Sequence, residues 1–155
     1  MSRINPEQSV IVFDLDDTLY AEYEYKCSGI RAVTALVAKL YPELGETELL
    51  EKIDADGNGW LDELCALCNF NSEEKKSLLW YYRLHTPVLT PYWHPQKLAA
   101  FIRRFAAAAL ITDGRSLTQR LKLDALGIRC LFDEILVSES SGQEKPDGGR
   151  FYLLE

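Results

Sequence analysis

Short apolar runs separated by longer stretches of helical periodicity dominate the hydrophobic pattern of this chain. Val10–Phe13 is a run of four apolar residues between polar neighbours, which predicts a strand buried on both faces. Residues 106–112 and 134–138 predict two further strands, the first of them weakly because alanine has a low strand propensity. Strands that alternate with helices in this way predict an α/β fold with a parallel sheet.

Helical periodicity fills the stretch between the first strand and the second. Apolar residues at positions 30, 33, 36, 37 and 40 share one helical face, and shorter helices are predicted around 49–53, 60–69 and 71–85. The last of these begins with Asn71 or Ser72 as its N-cap, since two glutamates follow in the first turn. We therefore predict an α/β core formed by residues 1–19 and 93–155, with a helical insertion over residues 20–92.

Composition and charge narrow the function classes. The 155 residues are 47% hydrophobic and 26% charged, which is ordinary for a globular protein and sufficient to bury a core. The net charge of −7 argues against binding to nucleic acid or to an anionic membrane, although it does not exclude an anionic substrate. No apolar run approaches the ~20 residues of a membrane span, and the N-terminus lacks the apolar core of a signal peptide. We therefore expect a cytoplasmic location.

Two carboxylates directly follow the first predicted strand. Asp14 and Asp16 lie at its carboxyl end, where open α/β sheets place their ligand sites. Carboxylates this close repel each other unless a cation or a shared proton compensates, so the pair indicates metal binding and acid–base chemistry. An acidic turn without a function is the alternative, because aspartate is common in turns.

Two further segments follow the other predicted strands. Thr112, Asp113 and Gly114 end the second strand, and a hydroxyl beside main-chain N–H groups can hold a phosphate oxygen. Lys145 follows the third strand and is a point charge able to balance two aspartates and a phosphoryl group. Taken singly, the first segment is better explained as an ordinary turn and the lysine as a solvated surface residue.

In order and type, the three segments together resemble the motifs of the haloacid dehalogenase-like hydrolase superfamily. The segment Asp14–Thr18 matches its first motif, DxDxT, while Thr112 and Lys145 match the residues of its second and third motifs. The resemblance covers essentially the whole chain and implies a three-layer, Rossmann-like parallel sheet. It also implies that the insertion over residues 20–92 is a helical cap of the C1 type, which closes over the site and excludes water.

The resemblance also implies a role for each matching residue. Asp14 would attack phosphorus to form an aspartyl-phosphate, and Asp16 would protonate the leaving alcohol and then activate water. Mg²⁺ would bind the Asp14 carboxylate, the Asp16 main-chain carbonyl and the phosphate. Thr112 and Lys145 would complete the catalytic set, and the phosphate-binding residues would be Leu15, Asp113 and Gly114. The implied activity is magnesium-dependent hydrolysis of a phosphomonoester, with a small phosphorylated metabolite as substrate.

One part of the family pattern does not occur in this sequence. The fourth motif, one or two acidic residues after a further strand, would complete the magnesium site, but the sequence ends at Glu155, ten residues after Lys145. We therefore expect a sheet of about three strands whose first strand is an open edge. Three explanations stay open: a piece of a longer product, a chain that pairs its open edge with a partner or a second copy, or a catalytically weak or inactive scaffold.

A second motif lies inside the predicted insertion. Residues 54–62 match the first nine positions of an EF-hand loop, with oxygen ligands at Asp54, Asp56 and Asn58. Cys65 occupies the twelfth position, where a bidentate glutamate belongs, and this difference should weaken calcium binding severely. A calcium-binding helical module over residues 54–65 is therefore a third hypothesis, beside a polar loop in which Asp, Asn and Gly serve as turn formers.

Overall fold

The computed structural model describes residues 5–141, with the main chain alone for Ser141. Lys145 lies outside the described residues, so its role remains a prediction. The chain divides into two compact units, which we call the sheet unit (Met1–Glu22 with Val88–Glu155) and the helical unit (Tyr23–Pro87). The role of residues 20–92 as a cap also remains a prediction.

Three parallel strands form the sheet of the sheet unit. β1 is Val10–Phe13, β2 is Ala107–Thr112 and β3 is Glu134–Val137, in the spatial order β1-β2-β3. The predicted parallel, Rossmann-like α/β fold is therefore confirmed. The alanine-rich β2 forms although alanine favours strands only weakly, because it is the central strand and is buried along almost its whole length.

The register of the strands brings their carboxyl ends to one edge of the sheet. Phe13 at the end of β1 pairs with Leu110. Thr112 at the end of β2 pairs with Val137 at the end of β3. Because Asp14 follows the first of these ends and Thr112 forms the second, the sheet places both predicted motifs at the edge where α/β folds bind ligands.

β1 is an edge strand of this sheet. Within residues 5–141, β1 pairs with β2 alone, and the side chain of Val10 is exposed. The prediction that the first strand is an open edge is therefore confirmed for the described part of the chain. The prediction that this strand is buried on both faces is wrong, because its other three residues are only partly buried. Pairing of this edge with a second copy or another chain stays a prediction.

Four helices run through the helical unit. They are α1 (Glu22–Leu40), α2 (Glu46–Lys52), α3 (Trp60–Cys68) and α4 (Ser72–Leu84). Their buried apolar side chains form one core, to which α1 contributes residues 30, 33 and 37 as its periodicity predicts. Position 36 is partly buried, and position 40, the last of α1, is exposed. The predicted helix face is therefore correct except at its end.

A capping box determines where α4 begins. The Asn71 side-chain oxygen accepts hydrogen bonds from the main-chain N–H groups of Glu73 at 2.8 Å and Glu74 at 3.1 Å. The Glu74 carboxylate accepts the main-chain N–H of Asn71 at 2.8 Å. Of the two predicted N-caps, Asn71 is therefore the one observed, and three main-chain donors at this helix end are satisfied.

The sheet unit contains three α-helices in its described part. α5 (Pro95–Ile102) precedes β2, α6 (Ser116–Ala125) follows it, and the short α7 (Ser138–Ser141) follows β3. Gly127 has φ +67°, the left-handed conformation typical of a glycine just after a helix end, here that of α6. No helix within residues 5–141 is both long and apolar enough to cross a membrane.

Candidate active site

The turn after β1 carries the two aspartates of the first motif. The main-chain N–H groups of Thr18 and Leu19 donate to the carbonyl oxygen of Leu15 at 3.3 and 3.0 Å. The Leu15 side chain is fully buried, so any ligand contact of this residue is through its main chain. Asp14 and Asp16, on either side of Leu15, are partly buried.

Three donors surround the Asp16 carboxylate. The Lys122 ammonium nitrogen lies 2.7 Å from Oδ1, and the Tyr20 hydroxyl donates to the same oxygen at 2.5 Å. The side-chain amide of Gln119 donates to Oδ2 at 2.7 Å. The Lys122 nitrogen also lies 5.7 Å from the centre of the Tyr20 ring. Both carboxylate oxygens are therefore bound, and the side chain is fixed within the protein.

The environment of Asp16 acts on its pKa in two opposite directions. Burial raises the pKa, because it removes water from the charged form. The charge of Lys122 and the hydrogen bonds from Lys122, Tyr20 and Gln119 lower it, and together they prevail over burial, so the net pKa lies below the ordinary 3.8. Asp16 is therefore ionised at neutral pH and forms an ion pair with a lysine that is itself buried.

Gln119 connects Asp16 to the end of β2. Its side-chain nitrogen lies 2.7 Å from Asp16 Oδ2, 2.7 Å from Thr112 Oγ1 and 2.9 Å from the Asp113 carbonyl oxygen. An amide nitrogen carries two hydrogens, so these three acceptors share two N–H groups. The structure therefore brings residues of the first and second sequence motifs together on one amide group.

The turn after β2 is tied to the residues that follow β3. Gly114 has φ +118°, a conformation that strains any residue with a side chain. Its N–H donates to Ser138 Oγ at 2.9 Å, and the N–H of Ser116 donates to the Glu139 carboxylate at 2.7 Å. Two main-chain donors beside Thr112 are therefore already bonded, and a phosphoryl oxygen at Gly114 must share or replace the serine hydroxyl.

The residues that follow β1 offer carboxylate and main-chain carbonyl oxygens, which are the ligands that Mg²⁺ prefers. Because the Asp16 carboxylate already accepts bonds from three donors, one of them a cation, its main-chain carbonyl is the better ligand beside the Asp14 carboxylate. Within residues 5–141, no group of three or more His, Cys, Asp or Glu side chains is arranged to hold a metal ion. The magnesium site on Asp14 and Asp16 therefore remains a prediction.

Two residues of the site, Gln119 and Lys122, were not predicted from the sequence. Both lie on the buried face of α6, where they are 2% and 4% exposed, whereas Leu117 on the same helix is 62% exposed. The usual amphipathic pattern predicts the reverse, because it places polar side chains outward. The signal that could have found them is spacing, since both continue the helical face of the buried Leu123 and Leu126.

The EF-hand-like loop of the helical unit is held by two residues of α1. The Lys26 ammonium donates to the Asp56 carbonyl oxygen at 2.8 Å, and the Tyr23 hydroxyl donates to the Asp56 carboxylate at 2.6 Å. The Glu63 carboxylate accepts the main-chain N–H of Asp54 at 2.7 Å. Oxygens that the pattern offers to calcium are therefore bonded within the protein, and calcium binding by this loop stays a prediction.

Comparisons with known proteins agree with the motifs and the fold. A family model described as haloacid dehalogenase-like hydrolase matches residues 8–154. The glyceraldehyde 3-phosphate phosphatase of Methanocaldococcus jannaschii is 31% identical over 147 residues, which cover 88% of this chain and 64% of that protein. The chain therefore spans less than two thirds of the length of this relative.

Solved structures share the fold of the chain. The HAD-hydrolase YfnB from Bacillus subtilis, bound to magnesium, has a TM-score of 0.62 at 20% identity, covering 96% of this chain and 71% of its own. A 2-haloacid dehalogenase from Pseudomonas syringae pv. tomato has a TM-score of 0.58 at 21% identity, covering 95% and 71%. At these identities the likeness shows the fold alone. Because the family model matches nearly the whole sequence, the chain belongs to the haloacid dehalogenase-like hydrolase family.

Proposed function

We propose that the protein is a magnesium-dependent phosphomonoesterase that acts on a small phosphorylated metabolite through an aspartyl-phosphate on Asp14. The observation that carries the proposal is the ionised Asp16 carboxylate, fixed beside the end of β1 and joined through one amide to Thr112. This arrangement offers a proton acceptor next to a hydroxyl that suits a phosphoryl oxygen.

The fold does not distinguish phosphate hydrolysis from dehalogenation, since the structurally similar proteins include a 2-haloacid dehalogenase. The acid at position 16 favours phosphate chemistry, because an ester oxygen leaves with a proton whereas a halide leaves without one. The similarity to the glyceraldehyde 3-phosphate phosphatase of Methanocaldococcus jannaschii supports the same choice. We therefore assign phosphate esters as the substrate class.

The proposed reaction has two steps at phosphorus. In the first, a carboxylate oxygen of Asp14 bonds to phosphorus while the ester P–O bond breaks, and Asp16 gives a proton to the departing oxygen. In the second, Asp16 takes a proton from water, whose oxygen attacks the phosphorus of the aspartyl-phosphate. Inorganic phosphate leaves, and the Asp14 carboxylate is restored.

The surroundings of Asp16 suit both of these proton transfers. Without substrate, burial raises the pKa of Asp16, but the contacts with Lys122, Tyr20 and Gln119 lower it further than burial raises it. The Asp16 carboxylate is then ionised and can act as the base that the second step needs. A negatively charged phosphoryl group beside a carboxylate raises the pKa of that carboxylate. Substrate binding therefore favours the protonated form of Asp16 that the first step needs.

Thr112 and magnesium would hold the phosphoryl group. Thr112 Oγ1 accepts the Gln119 N–H, and its own O–H, 3.4 Å from the Asp113 carbonyl oxygen, can turn to a phosphoryl oxygen. Mg²⁺ bound to the Asp14 carboxylate and the Asp16 main-chain carbonyl would offset the negative charge of nucleophile and substrate. The resemblance adds Lys145 to this set, and its contribution stays part of the proposal.

Phosphate release from p-nitrophenyl phosphate and from glyceraldehyde 3-phosphate, each with Mg²⁺ or with chelator, tests the proposal. We expect turnover that requires Mg²⁺, and Asp14→Asn should lower kcat by at least about a thousandfold, as loss of a nucleophile does. Asp17→Asn is the matched control, because Asp17 is exposed and its acceptor to the Glu22 N–H survives in asparagine. This variant should keep the activity of the wild type.

Two results would contradict the proposed function. Full activity of Asp14→Asn would remove the aspartyl-phosphate mechanism. A wild type that releases no phosphate from either ester, and that sediments as a stable dimer, would instead favour a scaffold that associates through the open edge of β1.

A further inference from the structure

α6 presents two buried polar side chains to a single carboxylate. Gln119 and Lys122 are one helical turn apart, and both are almost completely buried. Lysine and glutamine are costly to bury, and a buried ion pair is often no better for stability than a pair of apolar residues. Stability of the fold is therefore a weak explanation for placing both residues here.

The bonds of these two residues restrict Asp16 in position and in rotation. Lys122 binds Oδ1 and Gln119 binds Oδ2, so the plane of the carboxylate is held at both oxygens. The same Gln119 amide binds Thr112 Oγ1 and the Asp113 carbonyl oxygen. One side chain of α6 therefore connects the acid–base group directly to the end of β2.

We propose that Gln119 and Lys122 are positioning residues of the active site. They orient the Asp16 carboxylate toward the departing oxygen and keep it in register with Thr112, without touching the substrate themselves. The inference rests on the proposed function, because it assigns these residues to the proton transfers of Asp16.

Lys122→Met and Gln119→Met test the proposal, since each keeps the length of the side chain and removes its donors. With glyceraldehyde 3-phosphate and Mg²⁺, each should lower kcat by about 10- to 100-fold, the loss typical of residues that orient a site group. KM should stay within about twofold, because substrate binding does not involve these side chains. Lys97→Met is the matched control, since it removes the same charge from an exposed position of α5.

The leaving group separates positioning from a merely structural role. A nitrophenolate leaves without help from an acid, whereas the alkoxide of glyceraldehyde 3-phosphate needs a proton. The second step, hydrolysis of the aspartyl-phosphate, is common to both esters and also needs Asp16, so the first step is measured alone as release of the alcohol in a single turnover. If Gln119 and Lys122 act through Asp16, the loss of this single-turnover rate in their variants should be at least about tenfold smaller with p-nitrophenyl phosphate. Equal losses with the two esters would show general damage to the site and would overturn the proposal.

A double-mutant cycle with Asp16→Asn provides a second test. With p-nitrophenyl phosphate the Asp16→Asn variant should keep measurable single-turnover release of nitrophenolate, and adding Lys122→Met should then change the rate of this release less than about threefold. A further loss as large as in the wild-type background would overturn the proposal, since Lys122 would then act independently of Asp16. If Lys122→Met does not fold, the same cycle with Gln119→Met provides the test.

A wild type without turnover would refute the proposed function and this inference together. An active wild type with fully active Lys122→Met and Gln119→Met variants would refute the inference alone.

Discussion

Gly29 in the middle of α1 is a position where packing should outweigh helix propensity. A Cβ at this residue would lie 2.3 and 2.4 Å from two ring carbons of Tyr82 and 3.1 Å from Cε1 of His85. The Tyr82 ring cannot move aside easily, because it packs against Tyr25, Trp60 and His85 with ring centres 5.2 to 6.0 Å apart. Gly29→Ala therefore forces two packed segments apart.

Two opposing effects determine how much Gly29→Ala changes the free energy of unfolding. Replacing glycine by alanine inside a helix stabilises the helix by about 1 kcal/mol. Overpacking a well-filled core costs about 1–3 kcal/mol, and an overlap of this depth belongs at the upper end of that range. We expect Gly29→Ala to lower the free energy of unfolding of the helical unit by about 2 kcal/mol. For a unit of about 65 residues this corresponds to a fall in Tm of roughly 8–16 °C.

Urea unfolding followed by tryptophan fluorescence measures this change, since Trp60 is buried and packs on the Tyr82 ring. Gly45→Ala is the control, because the nearest atom to its added Cβ is 3.9 Å away and its φ is −67°. This change should cost less than about 1 kcal/mol. A Gly29→Ala protein as stable as the wild type would refute the argument, because propensity would then have decided the outcome.

Two further predictions concern the helical unit. Burial lowers the pKa of His85 despite its hydrogen bond to the Tyr82 carbonyl, so the unfolded chain binds a proton more readily than the folded one. Stability should therefore fall as pH drops from about 6.5 toward the lowered pKa of the folded state. Urea titrations between about pH 7.5 and 5 should show this slope, and His85→Gln should reduce it. Asn71→Ala should cost about 1 kcal/mol in the same unfolding assay, because it removes the capping box, whereas Asn71→Asp keeps the acceptor and should cost only a few tenths.

The sheet and its strand ends could be predicted because parallel topology follows from the order of elements. Once β1 and β2 are parallel neighbours, the residues that end them lie at one edge of the sheet, because the main-chain topology alone determines their position. Asp14 and Thr112 were therefore placed correctly from the apolar runs that precede them. The alanines of β2 show the limit of propensity, since residues that favour strands only weakly form the central strand of the sheet.

The partners of Asp16 could not be predicted in the same way. A pattern of polar and apolar residues assigns charged side chains to the surface, because burying a charge is unfavourable unless an opposite charge or a hydrogen bond compensates it. Lys122 is buried because it pairs with the carboxylate of Asp16, and Gln119 is buried beside it on the same carboxylate. The pattern along α6 does not indicate this partner, since Asp16 lies more than a hundred residues earlier in the chain. Leu117, an apolar residue of the same helix, is exposed.

This arrangement also separates two roles that the family resemblance gives to Asp16. A divalent cation on the carboxylate would stand beside the Lys122 ammonium, 2.7 Å from Oδ1, and would be repelled by it. The main-chain carbonyl does not depend on the carboxylate's hydrogen bonds, so in the proposed mechanism it would bind magnesium while the side chain transfers protons. Lys122 therefore acts against metal binding at the carboxylate as well as holding it in place. In the proposed site, the position of one buried lysine would therefore favour metal binding at the main-chain carbonyl of Asp16 over metal binding at its carboxylate.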